Sequence, residues 1–482
     1  MKTRTPAAVL LLCAALAAHG AVYYVDSRVA PENEGDGTSP ETPFATLDSA
    51  AAAAGDGDEV RVLGDGRVFE FAADTNGTLF AQNRLRLVGW GSERPVLRPD
   101  PEVQRSEGQR LLRIAGEDSV VSNLAFRFTQ YSAGPASVLS VEAPRVSVQR
   151  CSFELVDGPA ASKQGGYAGV VACNRGLATD LVVEGCSFLG TRPINQDWEY
   201  RPIMPRNGAV ISGCLFSNVN AAVACRKLLE SERDGKSEAT WTISFVSNVV
   251  VESHCRAGGV YGGVVLANFN GPREAEIAFN RFVNSFETPS GTVVRKHREG
   301  LSSGLSIHHN TVVGFESLVS TGTKWANNMD ARIFDNLLAD VTTAIREDDD
   351  QGRTSFKSGS FFRNNAFSGT LFAGSATTHE AYATNFAAAL SVDGSIAISP
   401  PFLFCKTNGV SRSDFYRWDV RNNPGLVSAG WTDGGKWPAW IGALEPREAL
   451  PEPTVIAVGA PRSGGEGGGS GGGLPPPEPG GV

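Results

Sequence analysis

Arg295, Lys296, His297 and Arg298 crowd three cations and an imidazole into one short segment, bounded by Gly291-Thr292 before it and Glu299-Gly300 after it. An arginine fork grips a carboxylate or sulfate through two parallel hydrogen bonds. A neighbouring lysine or histidine can take or return a proton. Such a group suits chemistry on an anionic substrate; an ordinary solvated loop is the other reading of the same run. Further cations and amides recur along the chain: Asn174 and Arg175, Arg226 and Lys227, Asn268 and Asn270, Lys324, and Arg346. Arg226, Lys227, Asn268 and Arg346 are the expected substrate-binding residues, provided that the fold stacks these segments into one basic stripe suited to a carboxylated or sulfated glycan.

Other chemistry is less well provided for. Hydrolysis of a glycosidic bond needs two carboxyl groups facing each other across the bond. Asp197 and Glu199 share a loop, but no equivalent pair lies one repeat away. Asp348-Asp349-Asp350 offers clustered oxygens of the kind calcium favours, and a solvated turn is the simpler reading. His308 and His309 read as turn histidines rather than metal ligands, and no metal site is expected from spacing. Trp90 and Trp198 are candidate sugar platforms, with Trp90 expected to pack at the N-terminal coils.

The elements that must position these residues follow from a recurring pattern: an apolar residue, two others, Asn or Cys, one other, and a second apolar residue. It runs Val148…Cys151…Phe153, Val183…Cys186…Phe188 and Ile211…Cys214…Phe216. Asn takes the central place in Phe245…Asn248…Val250, Ile277…Asn280…Phe282, Ile307…Asn310…Val312, Ile333…Asn336…Leu338 and Phe362…Asn365…Phe367. Val120…Asn123…Ala125 is a weaker match. The central positions recur about every 30 residues, the mark of a repeat architecture. Period-two alternation such as Val146-Ser147-Val148 marks strands, and no amphipathic helical stretch recurs. A parallel β-helix has coils of this length, and it stacks equivalent residues about 4.8 Å apart. An inward Asn then bonds the Asn of the next coil and satisfies buried backbone groups. Cys, small and weakly polar, fills the same place. A second strand follows each motif (Ser137–Val141, Gly169–Cys173, Ala221–Cys225, Gly263–Ala267, Thr292–Arg295, Ser317–Thr321 and Thr343–Ile345) and is expected to form one further parallel sheet. The fold class is thus all-β: a right-handed parallel β-helix solenoid with an N-terminal capping helix and an irregular C-terminal cap.

The ends divide the chain. Lys2 and Arg4, the apolar run Ala7–Ala18 and the small residues of Ala18-His19-Gly20 read as a signal peptide over 1–20. The β-helix with its caps is expected over 21–448, and a disordered Pro/Gly-rich tail over 449–482. Phe44 to Ala54 is expected to form the capping helix; Thr378 to Leu390 reads as helical, and Ser399–Glu445 as the irregular cap. The net charge of −9 lacks the basic field of a general nucleic-acid or membrane-surface binder. No metal-binding cysteine spacing is present, and the stack accounts for Cys151, Cys186 and Cys214 without disulfides.

Tyr23-Tyr24-Val25-Asp26, Asp36-Gly37-Thr38-Ser39-Pro40, Pro43-Phe44-Ala45-Thr46-Leu47 and Gly57-Asp58-Glu59-Val60 resemble the start of bacterial right-handed β-helix repeat proteins of the pectin lyase-like superfamily. Ser399-Pro400-Pro401-Phe402 and Ile441-Gly442-Ala443-Leu444-Glu445 resemble their exit. The segment Gly291 to Gly300 is similar to the Gly-Thr…Arg-His-Gly segment of the alginate lyase and chondroitinase B family. That resemblance implies β-elimination: a cation or calcium offsets a uronate carboxylate, and a base removes the C5 proton. It makes Arg295 (or Arg298) and His297 the counterparts of the family residues, with His297 or Lys296 as base. Lys296 interrupts the family's Arg-His pair, and the preceding coil, Ala267-Asn268-Phe269-Asn270-Gly271, has no lysine where the family base stands. The expected function is that of a secreted or cell-surface lyase of acidic polysaccharides, monomeric and without a membrane span. The alternatives are a glycan-binding β-helix without activity and a glycoside hydrolase on the same scaffold.

Overall fold

The computed structural model describes residues 20–397 except 72–76, 101–109, 130–136, 157–167, 174–177, 191–199, 226–241, 254–262, 268–272, 285–287, 298–303, 323–328, 349–355, 368, 375–389 and 394–395. The signal segment apart from Gly20, the Ser399–Glu445 cap and the tail therefore lie outside the described residues. So does the expected helix Thr378–Leu390, except that Leu390 itself opens a strand.

Three parallel sheets of 13, 12 and 11 strands wind around one continuous apolar core. Each motif spans two of them. The residues before its central position lie in the first sheet, as Ser147–Gln149 do, and those after it in the second, as Ser152–Val156 do. The corner between the two sheets is a single tight turn. The residue just before each central position takes the left-handed conformation, with φ between 50° and 61° at Asn123, Arg150, Gly185, Gly213, Ser247, Phe279, His309, Asp335 and Asn364. Pairing of Ser152 with Ala125 shows that the coil before Cys151 places Leu124 at the central position. Asn123 occupies the corner instead, a shift of one residue from the sequence reading. Its amide still serves the backbone, donating from Nδ2 to the Gly89 carbonyl at 2.7 Å.

The expected stack forms. Asn280 Oδ1 accepts from the Asn248 backbone N–H at 2.8 Å and from Asn248 Nδ2 at 3.1 Å. Asn310 receives the same pair from Asn280, both at 3.0 Å. Asn336 and Asn365 continue the line. Each amide also donates to the carbonyl of the apolar residue that opens the motif one coil earlier: Asn280 to Phe245 at 2.8 Å, Asn310 to Ile277 at 2.8 Å. The thiols bond the equivalent carbonyls more weakly, Cys151 to Val121 at 3.8 Å, Cys186 to Val148 at 3.5 Å and Cys214 to Val183 at 3.6 Å. Beside them Phe126, Phe153, Phe188 and Phe216 stack face to face, with centroids 4.7, 4.9 and 5.0 Å apart. These spacings match the distance between strands.

The N-terminal cap is a short helix, Leu47–Ala53, started by Thr46, whose hydroxyl accepts from the Ser49 N–H at 3.1 Å. Leu47 and Ala50 are buried under it. Asp36 ties the preceding loop, accepting from the Thr38 N–H at 3.0 Å and the Thr42 hydroxyl at 2.9 Å. Gly37 follows at φ 72°, where a Cβ would come within 2.2 Å of the Phe44 ring. Among the described residues no helix is long and apolar enough to cross a membrane.

Candidate functional site

The predicted second strand set forms the third sheet, with Tyr200–Met204 as an additional member that its internal Pro202 conceals in the sequence. Strands Gly263–Ala267, Thr292–His297, Ser317–Gly322 and Thr343–Asp348 lie side by side in it. Their register sets Leu266, Arg295, Ser320, Arg346 and Ala373 in one row, and Ala267, Lys296, Thr321, Glu347 and Gly374 in the next.

These rows face opposite ways, since successive strand residues alternate between faces. Toward the N-terminus the Lys296 row continues through Cys225 and Cys173, which belong to the central core. The Arg295 row continues through Ala224, Met204 and Ala172, a small buried cluster separate from that core. Arg295 and Arg346 therefore share the outer face, while Lys296 belongs with Glu347 and the interior. The strand divides the predicted quartet between two environments.

On the outer face Arg295 is buried, and its Nη1 donates to the Ser320 hydroxyl at 3.0 Å. Arg346 is half-buried and ion-paired with Glu316. Arg295 and Arg346 are two strands apart, about 10 Å between backbones. On the inner row burial lowers the Lys296 ammonium to about 8, against the attraction of Glu347, which acts to raise it. His297 ends the same strand. Arg298, Arg226, Lys227 and Asn268 lie outside the described residues, as do Asn174, Arg175, Asn270, Lys324, Asp197, Trp198, Glu199, Asp349 and Asp350.

The sequence reading did not include a second polar cluster at the N-terminal end of the same outer row. Arg113 and Ser140 are paired there in register. Arg113 grips Glu142 with both arms, Nε to Oε1 at 2.8 Å and Nη2 to Oε2 at 3.0 Å, and Ser140 adds a hydroxyl at 3.1 Å. The Arg/Glu spacing carries no local motif, because the partners meet only through coil stacking. The outer face thus has polar ends and an apolar middle.

Calcium does not fit the described part of this face. Glu316 is engaged by Arg346, and no group of three or more metal-binding side chains occurs among the described residues. The buried pair His308 and His309 has its Nδ1 atoms 3.1 Å apart, so one ring donates and the other accepts. His308 reaches Glu276 at 3.4 Å, and His309 lies 3.7 Å from Asp335. These histidines sit at a first-sheet corner, and no metal cluster of three or more ligands forms there.

No family model matches the sequence, and no curated protein matches it. Solved structures do resemble the fold. Pectate lyase Pel9A aligns with a TM-score of 0.52 at 10% identity, over 88% of this chain and 96% of its own. The GH136 lacto-N-biosidase from Eubacterium ramulus aligns at 0.47 and 13% identity, over 78% of this chain and 67% of its own. A PL6 alginate lyase aligns at 0.37 and 12% identity, over 78% of this chain and 84% of its own. The architecture is a parallel β-helix, the fold it shares with this pectate lyase.

Proposed function

We propose that this chain is an exported protein that acts on an acidic polysaccharide, as a lyase working by β-elimination at the outer face of the third sheet. The observation that carries this reading is the pairing of Arg295 and Arg346 in one outward row across Ser320. Two arginines at this separation suit successive carboxylates of a uronate chain, and offsetting a carboxylate charge acidifies the C5 proton next to it. The pectate lyase that shares the fold accords with this substrate class.

Of the two bases that the sequence offers, Lys296 lies on the inner row with Glu347, away from a substrate on the outer face, which leaves His297 as the candidate base. By resemblance His297 is the counterpart of the family's histidine, while the lysine that serves the family as base has no equivalent in the preceding coil. Arg226, Lys227 and Asn268 extend the binding surface in this reading, and Arg298 assists at the reacting sugar.

The test is incubation with a panel of uronate polymers, following the ultraviolet absorbance of the unsaturated product. Rising absorbance is expected, with loss of about 100-fold or more in Arg295→Ala. A flat trace across the panel removes the lyase reading. New reducing ends without absorbance mean hydrolysis instead, and retention without turnover means a binding protein. His297→Ala is expected to abolish the rise in absorbance and Lys296→Met to leave it; the reverse result assigns the lysine as base.

A further inference from the structure

A second surface lies away from the third sheet, on the outer face of the first. Its leading strands are Val22–Val25, Glu59–Leu63 and Arg86–Trp90. Val60, Val62 and Leu87 point into the core. Alternation therefore turns Tyr24, Glu59, Arg61, Arg86 and Trp90 outward. Trp90 is 44% exposed, one of three large apolar side chains so placed among the described residues.

Its position is fixed rather than loose. The Arg61 guanidinium lies 5.6 Å from the Tyr24 ring centre and 5.7 Å from that of Trp90. The two rings meet edge to face at 5.7 Å and 73°. Arg61 also donates from Nη1 to the Tyr24 hydroxyl at 3.0 Å and pairs through Nε with Glu59 at 2.7 Å. The other Glu59 oxygen holds Arg86 Nε at 3.0 Å. Arg86 makes that contact through Nε, and its side chain is 59% exposed, so the outer edge of its fork faces solvent. Arg61 and Arg86 against Glu59 leave these five side chains with one net positive charge, on a chain whose net charge is −9.

We propose that this face is an auxiliary binding surface for an anionic oligosaccharide, with Trp90 stacking on the apolar face of one sugar ring and Arg86 gripping the carboxylate of another. The ligand class rests on the acidic-glycan reading above; the surface itself is independent of the third sheet. An indole presents an apolar body together with a polar N–H and so suits a ring with one apolar face and a hydroxylated rim. An exposed arginine edge suits a carboxylate. The two side chains stand four residues apart on one strand, roughly 13 Å, which accommodates more than one sugar unit. Charge complementarity favours this occupant over a second copy of an acidic chain.

The experiment titrates the full chain with oligogalacturonate, oligoalginate and chondroitin oligosaccharides, and with a neutral cello-oligosaccharide of equal length. Calorimetry reads affinity, and thermal melting checks that each variant is folded. Trp90→Ala is expected to weaken binding of the preferred acidic oligosaccharide about tenfold. Arg86→Ala should weaken the acidic ligand alone, and both variants should keep wild-type turnover of short substrates. Unchanged affinity in both variants, or binding to none of the three acidic ligands, overturns the proposal. Arg295→Ala keeps the two readings apart. Binding that survives in Arg295→Ala and fails in Trp90→Ala supports the surface even if no polymer is cleaved. Binding that fails in Arg295→Ala alone assigns all recognition to the third sheet and overturns the surface.

Discussion

Between Cys214 and Asn248 the central stack changes chemistry while the coil geometry continues unbroken. From Asn280 on, each Asn rung accepts two hydrogen bonds from its neighbour and donates to a buried carbonyl, at 2.8–3.1 Å. On the Cys side a thiol reaches the equivalent carbonyl at 3.5–3.8 Å, and the Cys151 N–H faces the Cys186 sulfur at 3.4 Å. Amide-to-amide bonding is absent there, and the face-to-face Phe column runs alongside instead. The column ends where the amides begin: Val250 takes the place after Phe216, and the nearby Phe245 ring, from the first sheet, is tilted by 34° to Phe216. The two halves hold the same strand spacing, one by directional hydrogen bonds and the other by ring stacking and small-residue packing.

Breaking the Asn side should have the largest effect. Asn310→Ala removes the partner of the Asn280 N–H, of one Asn280 amide N–H and of the Ile277 carbonyl, and should cost about 3–5 kcal/mol in urea unfolding. Asn248→Cys moves the seam by one coil; it should cost about 2 kcal/mol, because the Cys214 N–H loses its 2.9 Å acceptor. Phe188→Leu interrupts the ring column and should cost about 1–2 kcal/mol. Cys186→Ala should cost only about 1 kcal/mol; a loss as large as that of Asn310→Ala would mean that the two halves are not held differently. Cys151, Cys173, Cys186, Cys214 and Cys225 are all buried, so thiol reagents should leave them unmodified until urea unfolds the chain.

The stack was legible because its residues are self-similar at a fixed period, and that is a property of sequence alone. Two details were not. Asn123 looks like a rung by type, yet strand pairing gives that place to Leu124; an Asn suits a left-handed corner as well as a rung. The break of each motif into two sheets was also hidden, since the bend occupies one residue and leaves the apolar pattern intact. At the candidate site, the segment Arg295 to Arg298 declares its cations but not its faces. Val293 and Val294 are both buried, so alternation could not be phased from the sequence. The register against Cys173, Cys225 and the Ala172, Met204, Ala224 cluster supplies the phase. Arg113 and Glu142 were missed because residues 29 apart meet only after the coils stack.

The left-handed corners carry a practical consequence. A side chain bearing a Cβ is strained there by roughly 1–2 kcal/mol relative to glycine, yet Arg150, Ser247, Phe279, His309 and Asp335 accept that conformation, whereas Gly185 and Gly213 escape it. Solvent-facing corners such as Arg150 are thus ready-made positions for a thermostabilising glycine, and several exchanges made together would sum along the solenoid, because each acts on its own coil.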